Sequence, residues 1–277
     1  MSESASPGDS PVAVSGLRVP ARSRWLVRAL WRGLLACVVF GLGLLTGHFI
    51  LPPAANAAGL HADAGPAYYM PISSRQLTVT LQPLVPSSAI EAQLDRANPD
   101  TMTAARDLAL SPASLSDLAA NLAELYPFSY VVAQQPLTLP DKLFDATRQQ
   151  YNTSATLDWL KSQAASSSFR TVGVTYADVY SKEYNFLFGE AKFAGPVCFA
   201  STQRMVQELA GAKLTPAQRW HHVVRHELGH TLGLQHVHDQ HSVMAFPNSL
   251  QDLDKQGMDL TPADWKLIRL AHPILWK

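Results

Sequence analysis

The stretch His226-Glu227-Leu228-Gly229-His230-Thr231-Leu232-Gly233-Leu234-Gln235-His236 sets three imidazoles, one carboxylate and a glycine in the spacing HExxHxxGxxH. On an α-helix, residues four apart share one face a single turn apart, so His226 and His230 can aim ring nitrogens at one ion. Glu227 is rotated about 100° from His226 on that wheel. It lies beside such an ion rather than on it, where it can take a proton from a metal-bound water. Gly233 permits a positive-φ turn that stops the helix and reverses the chain, which brings His236 back as a third ligand. Thr215-Pro216 reads as an N-cap followed by proline at the first helical position, upstream of the motif. Val224, Leu228 and Leu232 fall opposite the two helical ligands, so the helix has a core face and a metal face. A bare HExxH arises by chance on solvated helices; the added glycine and third histidine make that far rarer.

Composition narrows the ligand chemistry. The chain has 277 residues, 22 basic and 22 acidic, with a formal net charge of zero. No basic stripe suited to a nucleic-acid groove follows residue 32. The two cysteines, Cys37 and Cys198, allow neither a disulfide framework nor a CxxC metal site, so any metal is held by nitrogen and oxygen. Most of the ten histidines crowd into residues 221–241, which a solvated helix rarely needs and a metal site does.

Four regions follow one another along the chain. Residues 1–32 are polar and carry Arg18, Arg22, Arg24, Arg28 and Arg32. Residues 33–51 (GLLACVVFGLGLLTGHFIL) form an uncharged apolar run just long enough to cross a bilayer as a helix. Arginines before the run and none immediately after predict a cytoplasmic N-terminus and an exported remainder, periplasmic or extracellular. Ala55-Asn56-Ala57 resembles a signal-peptidase site, so both a cleaved signal and a single-pass membrane anchor fit. Residues 52–74, rich in Ala, Pro and Gly, read as a linker, and residues 75–277 as one globular domain that carries the motif. Within it, 76–81 (QLTVTL), 128–133, 171–176, 184–188 and 197–201 read as strands. Helical patterns cover 88–96, 102–125 with a break near Pro112, and 139–161 with an interruption at Asn152-Thr153. Strands alternating with helices predict an α/β (α+β) fold, a mixed twisted sheet with helices packed on it. Residues 197–201 are either an internal strand or an edge strand able to pair with an extended substrate.

Ser242-Val243-Met244 follows the third histidine. A methionine there resembles the metzincin zinc proteases, in which a tight turn sets Met beneath the metal as an apolar floor; Met244 fits that place. The segments Gln150-Tyr151-Asn152-Thr153, Gly173-Val174-Thr175-Tyr176-Ala177-Asp178-Val179-Tyr180, Asn185-Phe186-Leu187-Phe188-Gly189-Glu190-Ala191 and Asn248-Ser249-Leu250 resemble, in order, those of the archaemetzincins. The resemblance spans about residues 126 to 270. It implies a metzincin-like zincin fold with a small C-terminal subdomain, zinc on His226, His230 and His236, Glu227 as general base, and a peptide or protein substrate. The family also builds a second, structural zinc site from four cysteines. By spacing these positions fall on Val237, Ser242, Pro262 and Trp265, none of which supplies a thiolate, so one zinc ion is expected. Contact between Val237 and Trp265 is the expected apolar substitute.

Several neighbours are weaker candidates. His222 lies on nearly the same stripe as His226, but taking it as a ligand leaves His236 unexplained. His238, Asp239 and His241 read as a polar loop, and Cys198 as a small core residue. Tyr151, Tyr176 and Tyr180 could each stabilise an oxyanion, and no spacing rule selects one. Two readings differ in class from a peptidase acting on proteins: a zinc-bearing binding module with little or no turnover, and a membrane-tethered enzyme acting on another amide. The presence of Glu227 speaks against the binding module.

Overall fold

The structure, a computed structural model, describes residues 77–273. The basic segment, the apolar run at 33–51 and the linker at 52–74 lie outside the described residues. Among the described residues no helix is long and apolar enough to cross a membrane.

The main sheet is built from β1 (Thr78–Val85), β2 (Ser129–Val132), β3 (Leu137–Thr138), β6 (Arg170–Thr175), β8 (Gly189–Ala191) and β9 (Val197–Ser201). Its order is β2-β1-β6-β9-β8, with β3 also pairing with β1. Every pairing is parallel except β8 on β9, which is antiparallel. A second sheet joins β4 (Phe144–Asp145), β5 (Gln150–Asn152) and β7 (Val179–Tyr180).

Helices cover both faces of the main sheet, which is why β6 and β9 are buried almost throughout instead of alternating. On one face Val172, Val174, Cys198 and Ala200 meet α3 (Pro112–Leu125) and α5 (Pro216–Thr231) through Leu118, Leu122, Val224 and Leu228. On the other, Val197 and Phe199 join residues of α1 (Ser88–Ala97), α2 (Pro99–Leu110) and α4 (Thr153–Gln163). Two short elements, α6 (Leu250–Leu253) and α7 (Pro262–Ala271), follow the motif. The helix break near Pro112 is a true boundary: Ser111 caps α3 by accepting from the Ser114 N–H, with proline in the first turn.

Three expectations need correction. Residues 139–152 are not helical; they form a 3-10 turn (Asp141–Leu143) and the strands β4 and β5, and helix begins only at Thr153. The Asp145 carboxylate there accepts the N–H groups of Thr147 and Arg148 at 2.9 and 3.1 Å, and Gln149 adopts φ 58. Those local bonds hold a turn where the apolar spacing suggests helix. Residues 184–188 are mostly loop, because Ser181 Oγ accepts from the Glu183 and Tyr184 N–H groups; the strand starts at Gly189. Residues 197–201 are internal, flanked by β6 and β8, so the edge strand is β8.

The helix α5 is anchored by a buried ion pair. Arg219 in its first turns donates to both carboxylate oxygens of Asp254 at 2.7 and 2.9 Å, and to the carbonyls of Met205 and Gln207. The two side chains are 2% and 7% exposed. Asp254→Ala strands a guanidinium in the interior and should cost about 3–5 kcal/mol, read from chemical unfolding. The Arg219 hydrogen bonds hold the Asp254 carboxyl below its ordinary value. Its contribution is therefore full above the unfolded value of about 3.9 and fades as pH falls through the lower folded value.

Candidate metal centre and active site

Helix α5 begins with a capping box. Thr215 Oγ1 accepts from the Gln218 N–H, and the Gln218 side chain accepts from the Thr215 N–H, with Pro216 at the first helical position. It ends in a Schellman motif: the Gly233 N–H donates to His230 O at 3.0 Å and the Leu234 N–H to Gly229 O at 3.1 Å. Gly233 has φ 89, in the left-handed region where a side chain is strained. This turn returns the chain so that His236 faces the helix.

The three imidazoles converge. The Nε2 atoms of His226, His230 and His236 lie 3.0–3.1 Å from one another. The contact between His226 and His230 is not a hydrogen bond. The Nδ1 atoms of His226 and His230 stand 2.7 Å from the carbonyl oxygens of Val243 and Leu234. A carbonyl only accepts, so each Nδ1 carries the ring proton and each Nε2 turns a lone pair inward. Lone pairs facing each other at this distance repel unless a cation lies between them. Ligands about 2.0–2.1 Å from a tetrahedral zinc stand about 3.3 Å apart, close to the spacing found. Burial holds the His226 imidazole well below its ordinary pKa and lowers His236 to about 4, with the neighbouring His230 adding to the effect at both, so neutral rings are favoured. Among the described residues, no other group of three His, Cys, Asp or Glu side chains is gathered this way.

Glu227 sits beside this cluster under the edge strand. It is 7% exposed and its Oε2 is buried without a protein hydrogen-bond partner. Burial, with Glu190 adding, pushes its carboxyl well above the usual carboxylate range. Gly189 makes room for it: a Cβ there would stand 2.8 Å from Glu227 Cγ and 2.6 Å from Phe199 O. Below the helix, Met244 is fully buried, and a Cβ on Gly229 would stand 2.5 Å from its Sδ and 3.0 Å from the Tyr126 hydroxyl. Gly229 thus lets the methionine turn close against the helix.

The turn is braced without thiolates. Ser242 Oγ donates to Asp264 Oδ2 at 2.8 Å and accepts from the Met244 N–H at 3.0 Å. The same Asp264 oxygen accepts from the N–H and the hydroxyl of Thr261, the cap of α7. Val237 and Trp265 are partly buried against the main core cluster, but the direct link between turn and helix is polar.

The weaker candidates separate. His222 is buried, stays outside the three-histidine cluster and is held to about 4 by burial. His238 and His241 are exposed in a loop that Asp239 closes by accepting from the His241 N–H. Cys198 is a free thiol in β9, its pKa raised by burial. Tyr151 and Tyr176 belong to the core cluster on the other face of the sheet, and Tyr180 packs beneath Arg148. Sequence reasoning left two neighbours of the site without a role, Glu190 within a family-like segment and Tyr184. Glu190 places a second carboxylate near Glu227, and Tyr184 reaches toward the histidines through Phe246, whose ring is 4.8 Å from that of His236. Neither stands in a spacing that announces it.

The sequence model of peptidase family M54 matches residues 130–261. An archaemetzincin of Methanopyrus kandleri is 33% identical over 129 residues, covering 46% of this chain and 70% of that protein. One of Archaeoglobus fulgidus is 37% identical over 115 residues, 42% of this chain and 66% of the other. The crystal structure of the Methanopyrus kandleri archaemetzincin superposes with a TM-score of 0.55 at 23% identity, covering 74% of this chain and 99% of that one. The sequence matches and the shared fold agree: the chain belongs to peptidase family M54, the archaemetzincins, and is a zinc metallopeptidase.

Proposed function

We propose that His226, His230 and His236 hold one zinc ion and that Glu227 is the general base in peptide-bond hydrolysis. The observation that carries the reading is the convergence of three Nε2 atoms, two of them with their lone pairs fixed inward, beside a buried carboxylate whose Oε2 has no protein partner. When bound, zinc acidifies a coordinated water toward a pKa of about 7 and offsets charge developing on the substrate carbonyl. Val243 O and Leu234 O fix the tautomers that keep the two helical rings ligating. Glu227 orients the attacking water, accepts its proton on Oε2 and passes that proton to the departing amine nitrogen.

An extended substrate joins the sheet at β8 by strand addition. Ser201 N–H donates to Phe188 O and Lys192 N–H to Val197 O. With the two-residue alternation of an antiparallel ladder, Gly189 and Ala191 turn their backbone groups outward. Gly189 lies directly over Glu227, so the scissile carbonyl sits at the start of β8. We also propose that residues 33–51 carry this domain out of the cytoplasm, as a membrane anchor or a cleaved signal. N-terminal sequencing of the mature chain distinguishes the two, and a soluble protein that retains Met1 would discard both.

Metal analysis should find one zinc per chain, lost when His226, His230 or His236 is changed to Ala. Glu227→Gln should keep the zinc and lower the peptidase rate at least 100-fold; an unchanged rate removes Glu227 from the mechanism. Gly189→Ala should also keep the zinc while lowering kcat about 10-fold or more, because the added methyl displaces Glu227. Zinc binding with no cleavage of a random peptide library by the parent protein favours the binding-module reading instead.

A further inference from the structure

A chain added antiparallel to β8 places the residues that follow its scissile bond beside the segment that precedes β8, since Glu227 lies under Gly189 at the strand's start. That segment carries Tyr184. Its side chain is 45% exposed, so it is not held there by the core. Its ring stands 6.0 Å, centre to centre, from that of Phe246, which lies two residues past Met244. Phe246 in turn packs on His236 at 4.8 Å. The three rings run without a break from the third histidine to the loop that leads into β8.

The loop under Tyr184 is firmly tied. Gln150 Nε2 donates to Asn185 O at 3.0 Å and to Asp178 Oδ2 at 2.8 Å. Arg204 holds Asp178 with two bonds, at 2.8 and 2.7 Å, and its guanidinium lies 4.0 Å from the Phe186 ring centre. Ser181 Oγ accepts the Tyr184 N–H itself at 3.2 Å. A peptide passing between two rings needs a carbon contact of about 3.5–4.0 Å on each side, so about 7–8 Å in all. The 6.0 Å between Tyr184 and Phe246 is too little.

We propose that Tyr184 and Phe246 wall off the downstream end of the outer edge of β8, so that the enzyme trims short pieces from the carboxyl end of a chain rather than cutting it internally. The inference rests on the peptidase reading and on strand addition at β8, and it assigns a specificity role to two residues outside the metal motif. Binding of the carboxyl-terminal residues against the wall selects the bond; the hydrolytic step itself is unchanged.

The test compares the full-length zinc-loaded protein with Tyr184→Ala and Tyr184→Phe. The probes are one set of peptides with one to eight residues after a fixed sequence, and cleavage sites are mapped by mass spectrometry. The parent should release fragments of one or two residues. Tyr184→Ala should move cleavage inward and raise kcat/KM at least 10-fold for bonds with four or more residues after them. Tyr184→Phe keeps the ring and should keep the parental pattern; relaxation equal to that of Tyr184→Ala overturns a steric wall. In the Glu227→Gln background, Tyr184→Ala should tighten binding of the longer peptides, measured by fluorescence anisotropy. Internal cleavage by the parent, with the same sites in Tyr184→Ala, overturns the wall and leaves the peptidase reading standing. Absence of cleavage by parent and variants, with zinc bound, overturns both.

Discussion

Three ring nitrogens gathered at one point, two of them with lone pairs fixed inward, are unstable by themselves, and much of the domain is arranged to hold them there. Each part of the constraint comes from a different element. Helix α5 supplies the first two rings in fixed relation. The Schellman turn at Gly233 supplies the third. The carbonyls of Leu234 and Val243 set the two tautomers, and Val243 lies in the very turn that presents Met244. The orientation of His226 and the position of that turn are consequently one variable. The polar brace from Ser242 through Asp264 to Thr261 extends the same coupling to α7.

Burial accounts for the chemistry of the acid beside the cluster. Glu227 is enclosed between the helix and β8, and Gly189 is the residue that lets strand and carboxylate approach so closely. A buried carboxylate without a protein partner is costly. The cost falls when a nearby cation and a water share the space. The desolvated pocket thus belongs to the same design as the inward-facing imidazoles.

The motif helix was legible because each of its signals is local. Thr215-Pro216 marks the start, the four-residue histidine spacing marks the face, and Gly233 marks the stop, all within about six turns of chain. Residues 139–152 were misread because a side chain, Asp145, captures backbone N–H groups that periodicity alone assigns to a helix. The edge position of β8 was illegible for another reason. Which strand lies outermost depends on pairing across the sheet, and a three-residue strand carries too little pattern to declare itself. Tyr184 was missed likewise: it is distant in sequence from His236 and meets it only through Phe246. The thiolate-free substitute was half legible. Spacing places the family's cysteine positions on Val237, Ser242, Pro262 and Trp265 only by resemblance, and the role of Asp264 emerges only when Ser242 and Thr261 are seen to share one oxygen.

If a substrate joins β8 as proposed, the brevity of that strand limits how tightly its main chain can be gripped. Two outward-facing residues, Gly189 and Ala191, can exchange at most four backbone hydrogen bonds with an incoming strand. At a net of about 0.5–1.5 kcal/mol each, the ladder provides only about 2–6 kcal/mol. That corresponds at best to tens of micromolar and more typically to millimolar dissociation. Docking of that kind would therefore be a transient sampling step. On that reading, residence long enough for hydrolysis would depend on side chains and chain ends finding complementary walls, and folded proteins with no frayed strand to offer would gain almost nothing from the encounter.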